Sequence, residues 1–180
     1  MKKRVFAVSI AVFLGICYIG RVIYLNVNSE GFRVPTEGHD MGEIFQYADF
    51  EYQVLDFAIM DKNALNEKFG SVMDNVTSED AAYLLAIVKV RYQGDEKDKL
   101  SHLFSSSFES GSWRNGVNSR LGNRINSENM RFDPGGEKTL YAIAEMFPVQ
   151  FSKSEWKKIY QRKYSLVLET YPRKVEVKCN

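Results

Sequence analysis

AAYLLAIVKVRY, residues Ala81 to Tyr92, is the most apolar stretch of the chain outside its N-terminus. A short apolar run of this kind is compatible with either a buried helix or a buried strand. The second half of the stretch decides between them, because apolar residues there alternate with the charged Lys89 and Arg91. A period of two puts apolar and charged side chains on opposite faces of a strand. The stretch therefore predicts a largely buried β-strand.

Strand-like segments on both sides of this stretch predict a domain built of β-strands. Upstream, Met41 to Phe45 and Tyr52 to Met60 are rich in aromatic and β-branched residues. In the second of these, Leu55, Phe57 and Ile59 can share one face. Further segments of this type lie downstream, at Leu103 to Phe108, Glu137 to Phe147, Tyr164 to Leu168 and Val175 to Cys179. About seven strands without a regular alternation of strands and helices favour an all-β antiparallel sandwich.

One short helix is predicted within this arrangement. Ser152 and Glu155 have the spacing of a capping box, in which each residue satisfies a backbone N–H of the other. An apolar stripe at i, i+3 and i+4 follows, formed by Trp156, Ile159 and Tyr160. The capping box and the stripe together indicate a helix of about two turns between strands.

A series of motifs extends from Arg33 to Lys178: Val34-Pro35 with Glu37, Met41-Gly42-Glu43, the strand Tyr83 to Tyr92, Asp133-Pro134-Gly135, Phe147-Pro148 and Tyr164 to Lys174. In this order they resemble an uncharacterised family of Gram-positive, signal-anchored extracytoplasmic proteins with an immunoglobulin-like (telokin-like) sandwich. Gln93-Gly94 departs from the family, whose members tend to have an asparagine in this turn. The resemblance implies a fold and a location, and it implies no catalytic residues.

The N-terminus carries an apolar run, Val5 to Val27, directly behind the basic residues 2–4. At about 1.5 Å per residue, the part of this run that ends at Leu25 spans about 31 Å, close to the thickness of a bilayer core. Arg21 lies near the far end, where its long side chain can reach the headgroups. The positive charges before the run keep the N-terminus in the cytoplasm. We therefore predict a single-pass transmembrane helix that contacts the lipid bilayer and leaves the rest of the chain outside the cytoplasm.

A cleaved secretory signal is the alternative, because such a signal also combines a basic start with an apolar core. No A-x-A-like cleavage site follows the core, and apolar residues resume after Arg21. A buried helix of a soluble domain fits less well, since export is the simpler explanation of the basic residues before the run. The predicted organisation is a signal anchor at residues 1–27, a polar stalk at 28–39 and the immunoglobulin-like domain at 40–180.

Charge and cysteine content limit the partners of the outer domain. Four of the 24 Lys and Arg residues precede residue 28 and none of the 23 Asp and Glu residues does, so the net charge beyond it is −3. A nucleic-acid-binding domain usually carries a basic excess, so nucleic acid is not an expected partner. Cys17 lies in the apolar run and Cys179 near the end, so the outer domain has no internal disulfide.

The sequence contains no recognisable catalytic or metal-binding motif. His39 and His102 are the only histidines, and neither lies in a motif of a hydrolase triad. His39, Asp40 and Glu43 could supply metal ligands, but their spacing fits no established zinc motif. Acidic residues at 95, 96 and 98 alternate with lysines and lack the pattern of a calcium loop. We expect no catalytic residue, no cofactor and no bound metal.

The best candidate for a recognition surface is the stretch Trp113 to Arg131, which we expect to be a long loop. It contains Trp113, Arg114, Arg120, Arg124 and Arg131, together with Asn115, Asn118, Asn123 and Asn126. Arginine, tryptophan and asparagine on a sandwich loop can contact a protein or a glycan. The alternative is a connection whose arginines are only solvated and whose Trp113 fills the core.

These observations favour a membrane-anchored extracytoplasmic binding domain without catalytic activity, whose partner is a protein or glycan of the cell surface. Two other classes stay open at this point. One is a cell-envelope enzyme, for example a hydrolase with a pair of carboxylates that no motif singles out. The other is a structural subunit of an envelope complex. The oligomeric state and the ligand do not follow from the sequence.

Overall fold

A computed structural model of the chain describes residues 13–24, 34–70, 78–96, 98–100, 102–126 and 130–180. The chain divides into two compact units, Met1–Pro35 and Thr36–Asn180. Residues 13–24 of the first unit form a helix, α1. No helix in the described ranges is long and apolar enough to cross a membrane. The predicted anchor Val5 to Val27 extends beyond α1 at both ends, outside the described residues, and stays a prediction.

The described part of the second unit consists mainly of β-strands. The strands are β1 (Thr36–Asp40), β2 (Ile44–Tyr47), β3 (Phe50–Met60), β4 (Ala82–Tyr92), β5 (Asp98–Lys99), β6 (Ser107–Ser110), β7 (Trp113–Gly116), β8 (Arg131–Phe132), β9 (Glu137–Met146), β10 (Ser165–Glu169) and β11 (Lys174–Lys178). The helices are α2 (Lys62–Phe69), α3 (His102–Ser105), α4 (Ser119–Asn126) and α5 (Lys153–Trp156), with 3-10 helices at Pro148–Gln150 and Ile159–Gln161.

Two sheets form a sandwich, which confirms the predicted β-sandwich. One sheet has five strands in the order β1-β11-β10-β6-β7, and the other has four in the order β2-β3-β4-β9. β5 and β8 form a separate two-stranded ribbon. All pairs are antiparallel except β1 with β11, so the expectation of a purely antiparallel sandwich is wrong at this edge. The expectation of one helix is also wrong, because α2, α3 and α4 accompany the predicted α5.

The main core lies between the two sheets, and β4 is central to it. Val88, Val90 and Tyr92 are buried there, as their alternation with lysine and arginine predicts. The first half of β4 is buried on both faces, because α2 and α4 cover the outer side of this sheet. A second apolar cluster fills that interface and consists of Leu65, Ala81, Tyr83, Leu85, Leu121 and Ile143.

A β-bulge in β3 changes which residues face the core. The pairing with β4 shifts by one residue between Val54 and Asp56, so Leu55 is an extra residue. Before the bulge the even-numbered Tyr52 and Val54 are buried, whereas after it the odd-numbered Phe57 and Ile59 pack on the core. The predicted common face of Leu55, Phe57 and Ile59 is therefore wrong for Leu55, which is 43% exposed.

Two further segments differ from their predicted structure. β1 begins at Thr36 and pairs with β11, so the compact unit includes residues assigned above to the stalk at 28–39. Residues 28–33 lie outside the described ranges. The predicted strand Leu103 to Phe108 starts instead with the helical turn α3, where Leu103 is fully buried. Only its end belongs to β6, in which Phe108 points into the core.

Cys179 lies just beyond β11, and both cysteines of the chain are free thiols. Burial raises the pKa of the Cys179 thiol to about 12, so the group stays protonated at neutral pH. An uncharged buried thiol behaves as a small apolar side chain, and Cys179 is part of the main core.

Candidate functional site

The stretch Trp113 to Arg131 is not a loop, because its described residues form β7, α4 and β8. Val117, Leu121 and Ile125 recur every four residues, which is the spacing of one helix face. Leu121 and Ile125 belong to the second apolar cluster. The prediction of a loop failed because the frequent serines, glycines and asparagines concealed this short apolar stripe.

Asparagine side chains connect this stretch to the outer edge of β9. Asn126 is buried, and its amide oxygen accepts a hydrogen bond from the Tyr141 N–H at 2.8 Å. Its Nδ2 donates to the Tyr141 carbonyl at 2.9 Å and to the Gly122 carbonyl at 2.8 Å. The side chain thus satisfies both backbone groups of Tyr141 as a neighbouring strand would.

Two more asparagines continue the same edge. The Asn118 N–H donates to the Ile143 carbonyl at 2.7 Å, and Asn115 Nδ2 donates to the Glu145 carbonyl at 2.6 Å. Asn118 Oδ1 also accepts from the N–H of Leu121 at 3.1 Å and so caps the start of α4. Since β7 and β9 are the edge strands of the two sheets, these contacts close one side of the sandwich. The three asparagines therefore have structural roles.

The candidate arginines do not form one surface. Arg114 lies in β7, Arg120 and Arg124 lie in α4, and Arg131 lies in β8. Trp113 and Arg114 line a cleft, and the other three arginines do not.

This cleft has a volume of about 370 Å³ and is lined by Ser112, Trp113, Arg114, Gln150, Phe151, Glu155 and Arg162. We refer to it as the arginine cleft. One wall is the turn between β6 and β7, in which Gly111 has the positive φ of 60° that a residue with a side chain rarely adopts. The other wall is the segment from the 3-10 helix Pro148–Gln150 to Arg162.

Arg162 holds the two walls together. Its Nε donates to Ser110 Oγ at 3.1 Å, and its Nη2 donates to the Ser110 carbonyl at 2.9 Å. Its Nη1 is 3.8 Å from Glu155 Oε1, which exceeds a hydrogen-bond distance. The guanidinium also lies 5.5 Å from the centre of the Phe151 ring. Arg162 is thus fixed in position by Ser110, and its guanidinium lines the cleft beside Glu155.

Arg114 supplies a second guanidinium. Its Nε donates to Ser107 Oγ at 2.9 Å and lies 3.4 Å from Glu109 Oε1. Glu109 also pairs with Lys174 at 2.7 Å, so its charge is shared between two cations. Within the described residues, neither terminal nitrogen of Arg114 makes a hydrogen bond, and about half of the side chain is exposed.

Trp113 is the most buried residue of the cleft, with 9% of its surface exposed. Its ring stacks on Phe151, with 5.6 Å between the ring centres, and Tyr164 contacts it edge-on at 6.2 Å. The Nε1–H group is buried and makes no hydrogen bond with any described residue. A buried donor without an acceptor lowers the stability of the folded state by about 1–3 kcal/mol.

Glu155 is the one acidic residue that lines the cleft. It completes the predicted capping box of α5, since Ser152 Oγ accepts from the Glu155 N–H at 3.3 Å and Glu155 Oε2 accepts from the Ser152 N–H at 3.1 Å. Hydrogen bonds from Ser152 lower the pKa of Glu155, so the carboxylate is charged at neutral pH. The predicted apolar stripe is only partly correct, because Ile159 is buried whereas Tyr160 is exposed.

The cleft gives no support to the alternative of a hydrolase with two carboxylates. A glycosidase pair needs two acids about 5–10 Å apart, and the lining contains one. A second depression, beside Glu51 and Glu137, has a volume of about 20 Å³. That volume holds roughly one water molecule and leaves no room for a substrate.

The histidines lie outside the cleft. His39 stacks on Phe45, and its ring nitrogens lie 2.9 Å from Glu43 Oε1 and 3.2 Å from Glu37 Oε1. The hydrogen bond from His39 lowers the pKa of Glu43. Among the residues that the structure describes, no three His, Cys, Asp or Glu side chains are arranged to hold a metal ion. His102 begins α3 and contacts Tyr47 edge-on.

Comparison with known proteins gives a family and several structural relatives. The model of a family described as "Domain of unknown function (DUF5028)" matches residues 29–175. Among curated proteins, none matches this sequence. An uncharacterised β-sandwich protein of Clostridium difficile is similar in structure, with a TM-score of 0.52 and 10% identity, and the match covers 82% of this chain and 98% of that protein.

Two further solved structures match this chain at lower TM-scores. A conserved hypothetical protein of Bacillus anthracis has a TM-score of 0.47 and 12% identity over 79% of this chain and 95% of its own. A functionally unknown protein of Listeria monocytogenes has a TM-score of 0.46 and 7% identity over 76% of this chain and 79% of its own. The Clostridium relative supports a β-sandwich fold, and at this level of identity it carries no information on function.

Proposed function

The chain belongs to the DUF5028 family, and from that premise we propose that it is a membrane-anchored, extracytoplasmic binding domain without catalytic activity. We further propose that the arginine cleft is its ligand site. The immunoglobulin-like relation is part of the proposal and is supported by the two packed sheets between which the chain repeatedly crosses.

One observation carries the assignment of the site. The half-exposed guanidinium of Arg114 lines a cleft of about 370 Å³, and its terminal nitrogens make no hydrogen bond with any described residue. These nitrogens and the guanidinium of Arg162 can donate hydrogen bonds to a ligand in the cleft. The volume falls within the range of about 300–1,000 Å³ that is typical of small-molecule sites.

The proposed extracytoplasmic location of the domain is inferred from the sequence. The basic residues 2–4 precede the apolar run Val5 to Val27, which favours retention in the membrane with the domain outside. In this orientation the domain lies in the compartment in which a cell-surface protein or glycan is available. With a net charge of −3 from residue 28 onward, the domain lacks the basic excess that nucleic-acid-binding domains usually carry.

Photo-crosslinking in intact cells tests the assignment of the site. A photoreactive residue at Ser112, which is exposed and lines the cleft, is expected to capture a partner. The matched control is the same residue at Asn123, which is exposed on α4 and does not line the cleft. Equal capture at the two positions, or capture at Asn123 alone, would remove the cleft as the site.

A further inference from the structure

We infer that residues 148–163, which we call the lysine segment, dock on the headgroups of an anionic lipid bilayer. This contact is separate from the proposed ligand site. It depends on the proposed anchor only in so far as an anchor keeps the domain beside a bilayer. Three features support it: the charge of the segment, the lack of partners for its lysines and the apolar side chains that it exposes.

The lysine segment concentrates positive charge within an acidic domain. It contains five of the 20 Lys and Arg residues from residue 28 onward and one of the 23 Asp and Glu residues, so its net charge is +4. The rest of the domain therefore carries a net charge of −7. Clustered lysines are attracted to anionic headgroups, whereas acidic surfaces are repelled. This distribution favours an orientation in which the lysine segment faces the lipid.

The lysines of the segment have no side-chain partner in the part of the domain that the structure describes. All four are exposed: Lys153, Lys157, Lys158 and Lys163. Every other lysine of the domain whose side chain is described makes a contact. Lys62, Lys89, Lys174 and Lys178 are ion-paired, Lys68 lies over the Phe69 ring and Lys138 donates to the Arg131 carbonyl. The charges of the lysine segment are therefore free to contact an external anion.

The local fold holds three of these lysines close together. N–H groups of Trp156 and Lys158 donate to carbonyls four and three residues earlier, so residues 153–158 are coiled into helical turns. Trp156 and Ile159 pack on the main core and fix the segment to the domain. At about 1.5–2 Å per residue, Lys153 and Lys158 lie within about 10 Å along the segment axis. Charges within about one Debye length act together on an anionic surface.

Two exposed apolar side chains favour a lipid surface over a soluble polyanion. Val149 is 91% exposed and Tyr160 is 58% exposed. Tyrosine is enriched at the level of the headgroups, and an apolar side chain gains stability by entering the boundary with the acyl chains. A soluble anionic polymer would attract the lysines but would offer no apolar environment to Val149. The combination of exposed lysines, tyrosine and valine therefore indicates a bilayer.

A fluorescent NBD label at position 149 of the full-length chain tests the docking. In a Cys17→Ser background, Val149→Cys supplies the reactive thiol, because Cys179 is buried and its pKa is raised to about 12. The chain is incorporated into nanodiscs of phosphatidylcholine, with or without roughly 30% phosphatidylglycerol. We expect the anionic lipid to raise the NBD emission at least about twofold, because the label leaves water, and about 0.5 M NaCl to reverse the change.

Two triple variants locate the contact. Lys153→Gln, Lys157→Gln and Lys158→Gln together are expected to abolish the response to anionic lipid. The matched control, Arg91→Gln, Arg120→Gln and Arg131→Gln, removes three exposed cations that lie on different elements and is expected to retain it. Circular dichroism checks that both variants are folded. Equal emission in the two lipid compositions, or equal behaviour of the two variants, would overturn the inference. A response to soluble polyphosphate but not to anionic lipid would also overturn it.

The outcome is separable from the proposed function. Incorporation of the chain into phosphatidylcholine discs tests the anchor, whereas only the change caused by anionic lipid tests the lysine segment. If the chain does not enter the discs, the anchor is refuted, and cosedimentation with vesicles of the same two compositions then tests the segment. Crosslinking at Ser112 tests the cleft and is independent of both results.

Discussion

Replacing Asn126 with leucine is expected to lower the free energy of unfolding by about 3 kcal/mol, since buried backbone groups left without partners cost about 1–3 kcal/mol each. The native side chain pairs with the N–H and the carbonyl of Tyr141 and with the carbonyl of Gly122. Leucine has a similar volume but no polar atom, so the Tyr141 groups lose their partners on the outer edge of β9. Urea unfolding followed by circular dichroism measures the change.

Asn123→Leu is the matched control, because Asn123 lies in the same helix and is exposed. Its effect is expected to stay within about 0.5 kcal/mol, as for most surface substitutions. Asn126→Asp retains the acceptor for the Tyr141 N–H and removes the donor, so it should also destabilise the protein. If Asn126→Leu behaves like Asn123→Leu, the amide does not act as a strand partner for β9.

The second large effect is expected for Leu121→Ala, which should cost about 3 kcal/mol, in the range of fully buried leucines. Leu121 is 1% exposed and packs with Leu65, Tyr83 and Ile143 between the helices and the outer face of the four-stranded sheet. Truncation removes three carbon atoms and leaves a cavity at the contact of α4 with the sheet. The midpoint of urea unfolding is the measurement.

Leu55→Ala makes the same chemical change at the bulge of β3, where the leucine is 43% exposed. Its expected cost is below about 1 kcal/mol, because little apolar surface is removed from the interior. Similar costs for the two substitutions would mean that α4 does not pack on the sheet through Leu121.

The predictability of the fold from the sequence varies from strand to strand. The alternation in Ala81 to Tyr92 identified the strand β4 and its buried residues because one half of the strand has a charged outer face. The bulge at Leu55 was not predictable, since it depends on pairing with a strand about 30 residues away. β1 was missed because its polar residues lie on a sheet edge, where burial does not impose an apolar pattern.

The candidate site was predictable only in part. Trp113 and Arg114 were identified from a tryptophan beside several arginines, and both line the cleft. Arg162 and Gln150 were missed, because only the tertiary fold brings the segment that contains them to the turn after β6. Residue type alone also cannot separate an asparagine that binds a ligand from one, such as Asn126, that satisfies a strand edge.

The most direct test of whether the arginine cleft is the binding site compares two double variants. The measured quantity is the yield of crosslinking to the cell-surface partner. The cleft pair is Arg114→Gln with Arg162→Lys, and the helix pair is Arg120→Gln with Arg124→Gln, each in the chain with the photoreactive residue at Ser112. The cleft pair is predicted to reduce crosslinking at least about tenfold while the helix pair leaves it unchanged, with circular dichroism confirming that both are folded. Loss of crosslinking in the helix pair together with retention in the cleft pair would contradict the assignment.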